Sequence, residues 1–114
     1  MILMHGLFDL VDGVTEAEFD QAYDAFSEHL IGSGLMVSSR FMHHQDHDGY
    51  NSNPPKTQHY VTAEFVDMQQ AQDCWDAIEE YQEPLHELHL AVNEKIHNYR
   101  FFLTRDFEPT EDAG

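Results

Sequence analysis

Residues 58–92 read QHYVTAEF (58–65), VDMQQAQDCWDAIEEYQ (66–82) and EPLHELHLAV (83–92), and this stretch decides the fold. In the first block His59, Val61, Ala63 and Phe65 alternate with Tyr60, Thr62 and Glu64, the period of a strand. The second block opens with Asp67 and Gln70, an aspartate N-cap with glutamine at N3. Ala71, Cys74, Trp75 and Ile78 then recur at helical spacing. Pro84 lacks an amide hydrogen and suits the first turn of a new helical segment. Leu85, Leu88 and Val92 give that segment a core face, and His89 falls on the same stripe.

Upstream lies a similar unit. Ile2–Leu10 is short, apolar and bounded by Asp12-Gly13, which predicts a strand buried on both faces. Leu3, His5 and Leu7 share one of its faces; Met4, Gly6, Phe8 and Leu10 share the other. Thr15-Glu16-Ala17-Glu18 is a capping box, with Val14 and Phe19 spaced as a hydrophobic staple. Phe19, Tyr23, Phe26 and Leu30 stripe the helix that follows, about 15–31, which Gly32 and Gly34 can end. A second strand is expected over 35–44. The polar stretch 45–56, with Gly49 and Pro54-Pro55, reads as an exposed loop or a flap over a site. A fourth strand is expected over 95–107. There His97, Tyr99, Phe101 and Leu103 alternate with Ile96, Asn98, Arg100, Phe102 and Thr104, so both faces are expected to be covered. The acidic end, 108–114, reads as a frayed tail.

The order β-α-β-β-α-β predicts a single α+β domain over 1–107. It is a ferredoxin-like four-stranded antiparallel sheet with helices on one face. The other face is expected to carry Met4 and Phe8. One helical layer cannot cover both faces, so a homodimer packed sheet to sheet is expected.

Composition narrows the partners. The chain has 114 residues, with 5 Lys+Arg against 22 Asp+Glu and a formal net charge of −17. No basic patch can neutralise phosphates, so nucleic acid and anionic membrane surfaces are excluded as partners. Cys74 is the single cysteine. No internal disulfide is possible, and a reducing cytoplasmic location is expected. No apolar run reaches membrane-spanning length, and the start, MILMHGLFDL, lacks the basic region and cleavage site of a signal peptide.

The first-strand histidine in MILMHGLFDL, the helix start DGVTEAEF, the run QHYVTAEFVDMQQAQDCW and the Pro-x-His turn EPLHEL occur in the order found in one superfamily. The chain resembles the dimeric α+β barrels, within them the stress-responsive branch that includes plant polyketide cyclases. The resemblance covers roughly residues 1–31 and 57–106. It implies a catalytic acid–base pair of His5 and His86, with His59 lining the pocket. Glu83 stands where that branch has a histidine before the proline, and Phe26 where it has a pocket tyrosine, with Tyr23 one turn earlier. Many members of the branch have no known catalysis.

Two histidines facing one cavity can exchange protons with an enolisable or phenolic substrate, and Tyr23, Trp75 and Ile78 can supply its apolar wall. The expected function is small-molecule binding, either with cofactor-free lyase or cyclase chemistry at His5 and His86 or as a non-catalytic binding or stress-related interaction module. The bland reading makes His5 a bonded core histidine and His86 a partly exposed helix residue. A metal- or haem-binding barrel is the third alternative. Its candidates are His43, His44, Asp46, His47 and Asp48, the spacing of His86 and His89, and axial ligands among His5, His59, His86, His89 and His97. The 43–48 cluster has no recognised ligand spacing and reads as an exposed polar loop, so no metal ligand set and no cofactor are assigned. Cys74 lies in the apolar helix stripe and reads as a buried, inert thiol. A Gly-x-Ser-x-Gly elbow and a phosphate-cradling glycine loop are both missing.

Overall fold

The computed structural model describes residues 1–50 and 53–112. Part of the expected 45–56 loop (51–52) and the end of the expected tail (113–114) lie outside the described residues.

The elements are β1 (Ile2–Leu10), α1 (Glu16–Gly32), β2 (Ser38–His43), β3 (His59–Phe65), α2 (Met68–Glu79), α3 (Leu85–Asn93) and β4 (Ile96–Arg105). A 3-10 turn, Pro109–Asp112, follows in the segment expected to fray. The sheet is antiparallel throughout, in the order β2-β3-β1-β4. With the helices on one side, this is the ferredoxin-like arrangement.

Both helix starts follow from their caps. Thr15 accepts the Glu18 amide at 3.1 Å, and Asp67 accepts the Gln70 amide at 2.8 Å. Gln70 reaches back to the Val66 amide at 2.7 Å and donates to the Gly34 carbonyl at 3.0 Å, tying α2 to the end of α1. Glu18 does not reach back; its carboxylate accepts from the Thr15 hydroxyl instead.

β2 begins three residues later than the sequence suggests. Gly34, at φ +76°, reverses the chain, and the Leu35 amide caps the Leu30 carbonyl at 2.9 Å. Met36 then turns into the core and is buried, so pairing with β3 starts only beyond it.

The pairing register assigns the faces. Gly6 lies opposite Val61 and Phe101, and His5 opposite Thr62 and Phe102. The set containing Val61 is buried under the helices, whereas the set containing Thr62 faces away from them. Met4 and Phe8 therefore point toward the helices, not away from them as expected. Phe8 packs against Phe19 of α1 with ring centroids 4.9 Å apart, and Phe19 stacks on Tyr23 at 5.5 Å. Among the described residues Phe8, Phe19, Phe65 and Leu30 are the largest fully buried side chains. Each contributes roughly 1.5–3 kcal/mol of burial free energy.

The outer face carries Leu3, His5 and Leu7 on β1, and β1 is thus buried on one face rather than both. β4 is the larger departure. Beyond Ile96 all of its residues are exposed, on both faces. Phe101 and Leu103 point toward the helical layer, yet among the described residues no helix seals them.

Candidate functional site

The stripes of α1, α2 and α3 and the inner face of the sheet do not close completely. Between them lies a cavity of about 430 Å³. Phe19, Tyr23, Phe26 and Leu30 of α1 form its roof with Cys74, Trp75 and Ile78 of α2. Met4 and Phe8 of β1 and Val61 and Ala63 of β3 form its floor. Phe101 and Leu103 flank it on β4, where it opens.

The polar groups are few. Tyr23 is buried, and its hydroxyl is hydrogen-bonded to Ser39 Oγ, which itself donates to the Thr62 carbonyl at 2.8 Å. Ser39 therefore spends its proton on the backbone, and Tyr23 is the donor to Ser39. Burial pushes the Tyr23 phenol above its usual pKa, against the opposing effect of the Ser39 bond. Burial likewise raises the Cys74 thiol to about 11.

α3 supplies the rest. His89 and Asn93 both line the cavity, one turn apart. His89 packs its ring beside Phe26, with centroids 5.7 Å apart. Among the described residues no protein group bonds either ring nitrogen, and neither nitrogen is sealed off. Burial lowers the His89 pKa, and the neighbouring His86 lowers it further, so the fold favours the neutral ring.

The pair implied by resemblance is not brought together in this chain. His5 sits on the outer sheet face, its Nδ1 bonded to the Tyr60 hydroxyl and its Nε2 2.9 Å from Thr104 Oγ1. Phe102 stacks on it at 4.8 Å and 8°. His86 stands at the start of α3, in the helical layer, against the ring of Tyr81 at 4.9 Å. The sheet separates the two imidazoles.

His59 is also held outside the cavity lining. Its ring packs against Phe8 and Phe41, each 5.8 Å away by centroid, and its Nε2 lies 3.3 Å from Glu16 Oε2. The same carboxylate oxygen accepts from His43 Nδ1 at 2.6 Å. The His43 bond is the largest cause of the lowered Glu16 pKa. The cluster clips the α1 N-terminus to the ends of β2 and β3. Farther along, His44 bonds Asp46 and His47 bonds the Tyr50 carbonyl, both within the loop. Among the described residues no three His, Cys, Asp or Glu side chains are placed to hold a metal ion.

Of the residues expected to line a pocket, Tyr23, Trp75 and Ile78 are brought together and His59 is not. The histidine in the cavity is His89. Its signal was present: positions 85, 88, 89 and 92 form the helical stripe, and 86 lies off it.

Fold and site together define a ferredoxin-like α+β protein with an apolar cavity under its helices. The chain belongs to a family of unknown function (DUF6614), whose model matches residues 1–113. No curated protein matches it in sequence. Among solved structures it is similar to the Arabidopsis thaliana protein At3g17210, with a TM-score of 0.72 at 7% identity over 95% of this chain and 97% of that one. A dimeric ferredoxin-like protein of unknown function from Jannaschia has a TM-score of 0.63 at 9% identity, covering 93% and 100% of the two chains. A NIPSNAP domain protein from Burkholderia xenovorans has a TM-score of 0.58 at 9% identity, covering 94% and 95%. At these identities the likeness shows the ferredoxin-like fold. Among the described residues no helix is long and apolar enough to cross a membrane.

Proposed function

We propose that each subunit binds a small, largely apolar molecule in the cavity between sheet and helices. The observation that carries this reading is the cavity itself. Its volume, about 430 Å³, falls within the size range of small-molecule sites, and its walls are aromatic and aliphatic with a few convergent polar groups. No acid–base role is assigned to His5 and His86 together, because the sheet lies between them.

The test uses the neutral fluorescent probe N-phenyl-1-naphthylamine and the variant Ala63→Leu. Ala63 is buried on the cavity floor, so the larger side chain fills the space. The expected result is a bright, saturable complex with the native chain and at least about tenfold weaker binding to the variant, the equivalent of 1.4 kcal/mol. Equal binding to both removes the cavity as the site.

We also propose a homodimer packed through the outer sheet face. The Jannaschia structure is described as dimeric, and the outer face supports the reading by its charge. Its strand positions are Ser38, Arg40 and Met42; Tyr60, Thr62 and Glu64; Leu3, His5, Leu7 and Asp9; Arg100, Phe102 and Thr104. Glu64 and Asp9 are the acids among them, set against Arg40 and Arg100, in a chain of net charge −17. Two such chains repel through most of their surface, and this face is where approach costs least. Light scattering on a size-exclusion column tests it: a monomer at micromolar concentration overturns the reading.

A further inference from the structure

We infer that the cavity's ligand is a neutral alcohol or phenol whose hydroxyl donates to a free ring nitrogen of His89 and accepts from the Asn93 amide. This rests on the binding reading above and names the class of molecule bound.

The polar groups narrow the ligand by elimination. Among the described residues no Asp, Glu, Lys or Arg lines the cavity. A carboxylate or ammonium ligand would lose its hydration with no opposite charge to replace it. The ligand is therefore uncharged. Aromatic walls from Phe8, Phe19, Tyr23, Phe26 and Trp75 favour a flat ring.

Tyr23 is not available to orient such a ligand by donation. Its proton is committed to Ser39, whose own proton is committed to the Thr62 carbonyl. Cys74 offers only a weak S–H donor. His89 and Asn93 remain, on the same face of α3, and no protein hydrogen bond occupies either side chain among the described residues. A neutral imidazole has one nitrogen that accepts a hydrogen bond, and an amide donates two. A hydroxyl is the smallest group that serves both at once. A ketone or ester can accept from Asn93 but has no proton for the His89 acceptor.

The test titrates 4-propylphenol, propylbenzene and 4-propylbenzoate onto the full chain by calorimetry, with the native protein and His89→Phe. The three probes share an apolar body and differ at the polar end. Propylbenzene is expected to bind both proteins alike. 4-Propylphenol is expected to lose about tenfold in the variant, the scale of one neutral hydrogen bond. 4-Propylbenzoate is expected to bind the native protein most weakly. Equal phenol affinity in both proteins, or tightest binding of the benzoate, overturns the inference while leaving the cavity reading intact. Failure of all three probes to bind overturns the cavity reading and this inference with it. Should the variant not fold, the native protein still decides. The 15N resonances of the His89 ring shift on saturation with 4-propylphenol and not with propylbenzene; no phenol-specific shift overturns the assignment.

Discussion

Gly6 lies directly opposite Phe101, and a Cβ atom built on Gly6 would stand 2.7 Å from Phe101 Cε1 and 2.8 Å from Val61 Cγ2. The Phe101 ring occupies the space that a side chain on β1 would take. This lets it lie flat along the sheet at the edge of the cavity.

Gly6→Ala is therefore expected to destabilise the fold. Alanine reduces the freedom of the unfolded chain, which alone would stabilise by roughly 0.4–1 kcal/mol. The clash outweighs that gain. Phe101 is about half exposed and can swing away, but Val61 is 4% exposed, and its branched side chain has few alternatives. A net loss of about 1–2 kcal/mol is expected, on the scale of overpacked sites, measured as a lower urea midpoint with an unchanged slope. An unchanged or higher midpoint would mean that Val61 yields freely.

The outer face gives a second expectation. Leu7 and Phe102 lie on it, and both replaced by glutamate would place two new charges in a sheet-to-sheet interface. The double variant Leu7→Glu, Phe102→Glu is expected to sediment as a monomer with native helical content. A persistent dimer would move the interface elsewhere, with the exposed β4 aromatics the next place to look.

Cys74 reports on cavity access. It is 2% exposed, and its thiol is pushed up to about 11 by burial. At pH 8 roughly one thiol in a thousand is then ionised, against about a quarter for an ordinary cysteine. Iodoacetamide is expected to label the native chain at least about a hundredfold more slowly than the urea-unfolded chain. A bound cavity ligand should slow the reaction further. Rapid native labelling would mean that the cavity opens readily or that the thiol is not desolvated.

His89 gives the chain a signed pH dependence. Its folded pKa lies below the ordinary histidine value, through burial and then through His86. Between the two values the unfolded chain binds more protons than the folded one, so stability rises with pH across that interval. The contribution is fully present above the unfolded value and lost as pH falls through it toward the folded one. The urea midpoint of the native chain should thus fall more on acidification from about pH 7.5 to 5 than that of His89→Phe. Parallel curves would show that His89 is not held neutral by the fold. Taking the difference between the two proteins cancels every contribution they share.

Much of this was written in the residues. Thr15 and Asp67 each stand one residue before a helical stripe, and each caps the helix it announced. Capping is local, within four residues, so no other part of the chain can alter it. The stripe of Phe19, Tyr23, Phe26 and Leu30 became the roof of the cavity for the same reason: a helix that buries one face must bury that one. The βαββαβ order followed from these local signals and from the shortness of the strands.

Tertiary structure alone decided which way β1 faces. Alternation separates Leu3, His5 and Leu7 from Met4, Gly6 and Phe8, but both sets are mostly apolar, and period two carries no sign. The pairing of Gly6 with Val61 and Phe101 resolved it, across 55 and 95 positions of sequence. That choice carried His5 out of the cavity and left the imidazole of His89 inside. Whether β4 is covered was likewise beyond local reading, because its apolar residues on both faces record only that something must cover them. The sequence by itself determined the elements and their caps, which depend on near neighbours. The faces, the cavity and its histidine depend on register and packing between distant segments, and only the assembled fold sets those.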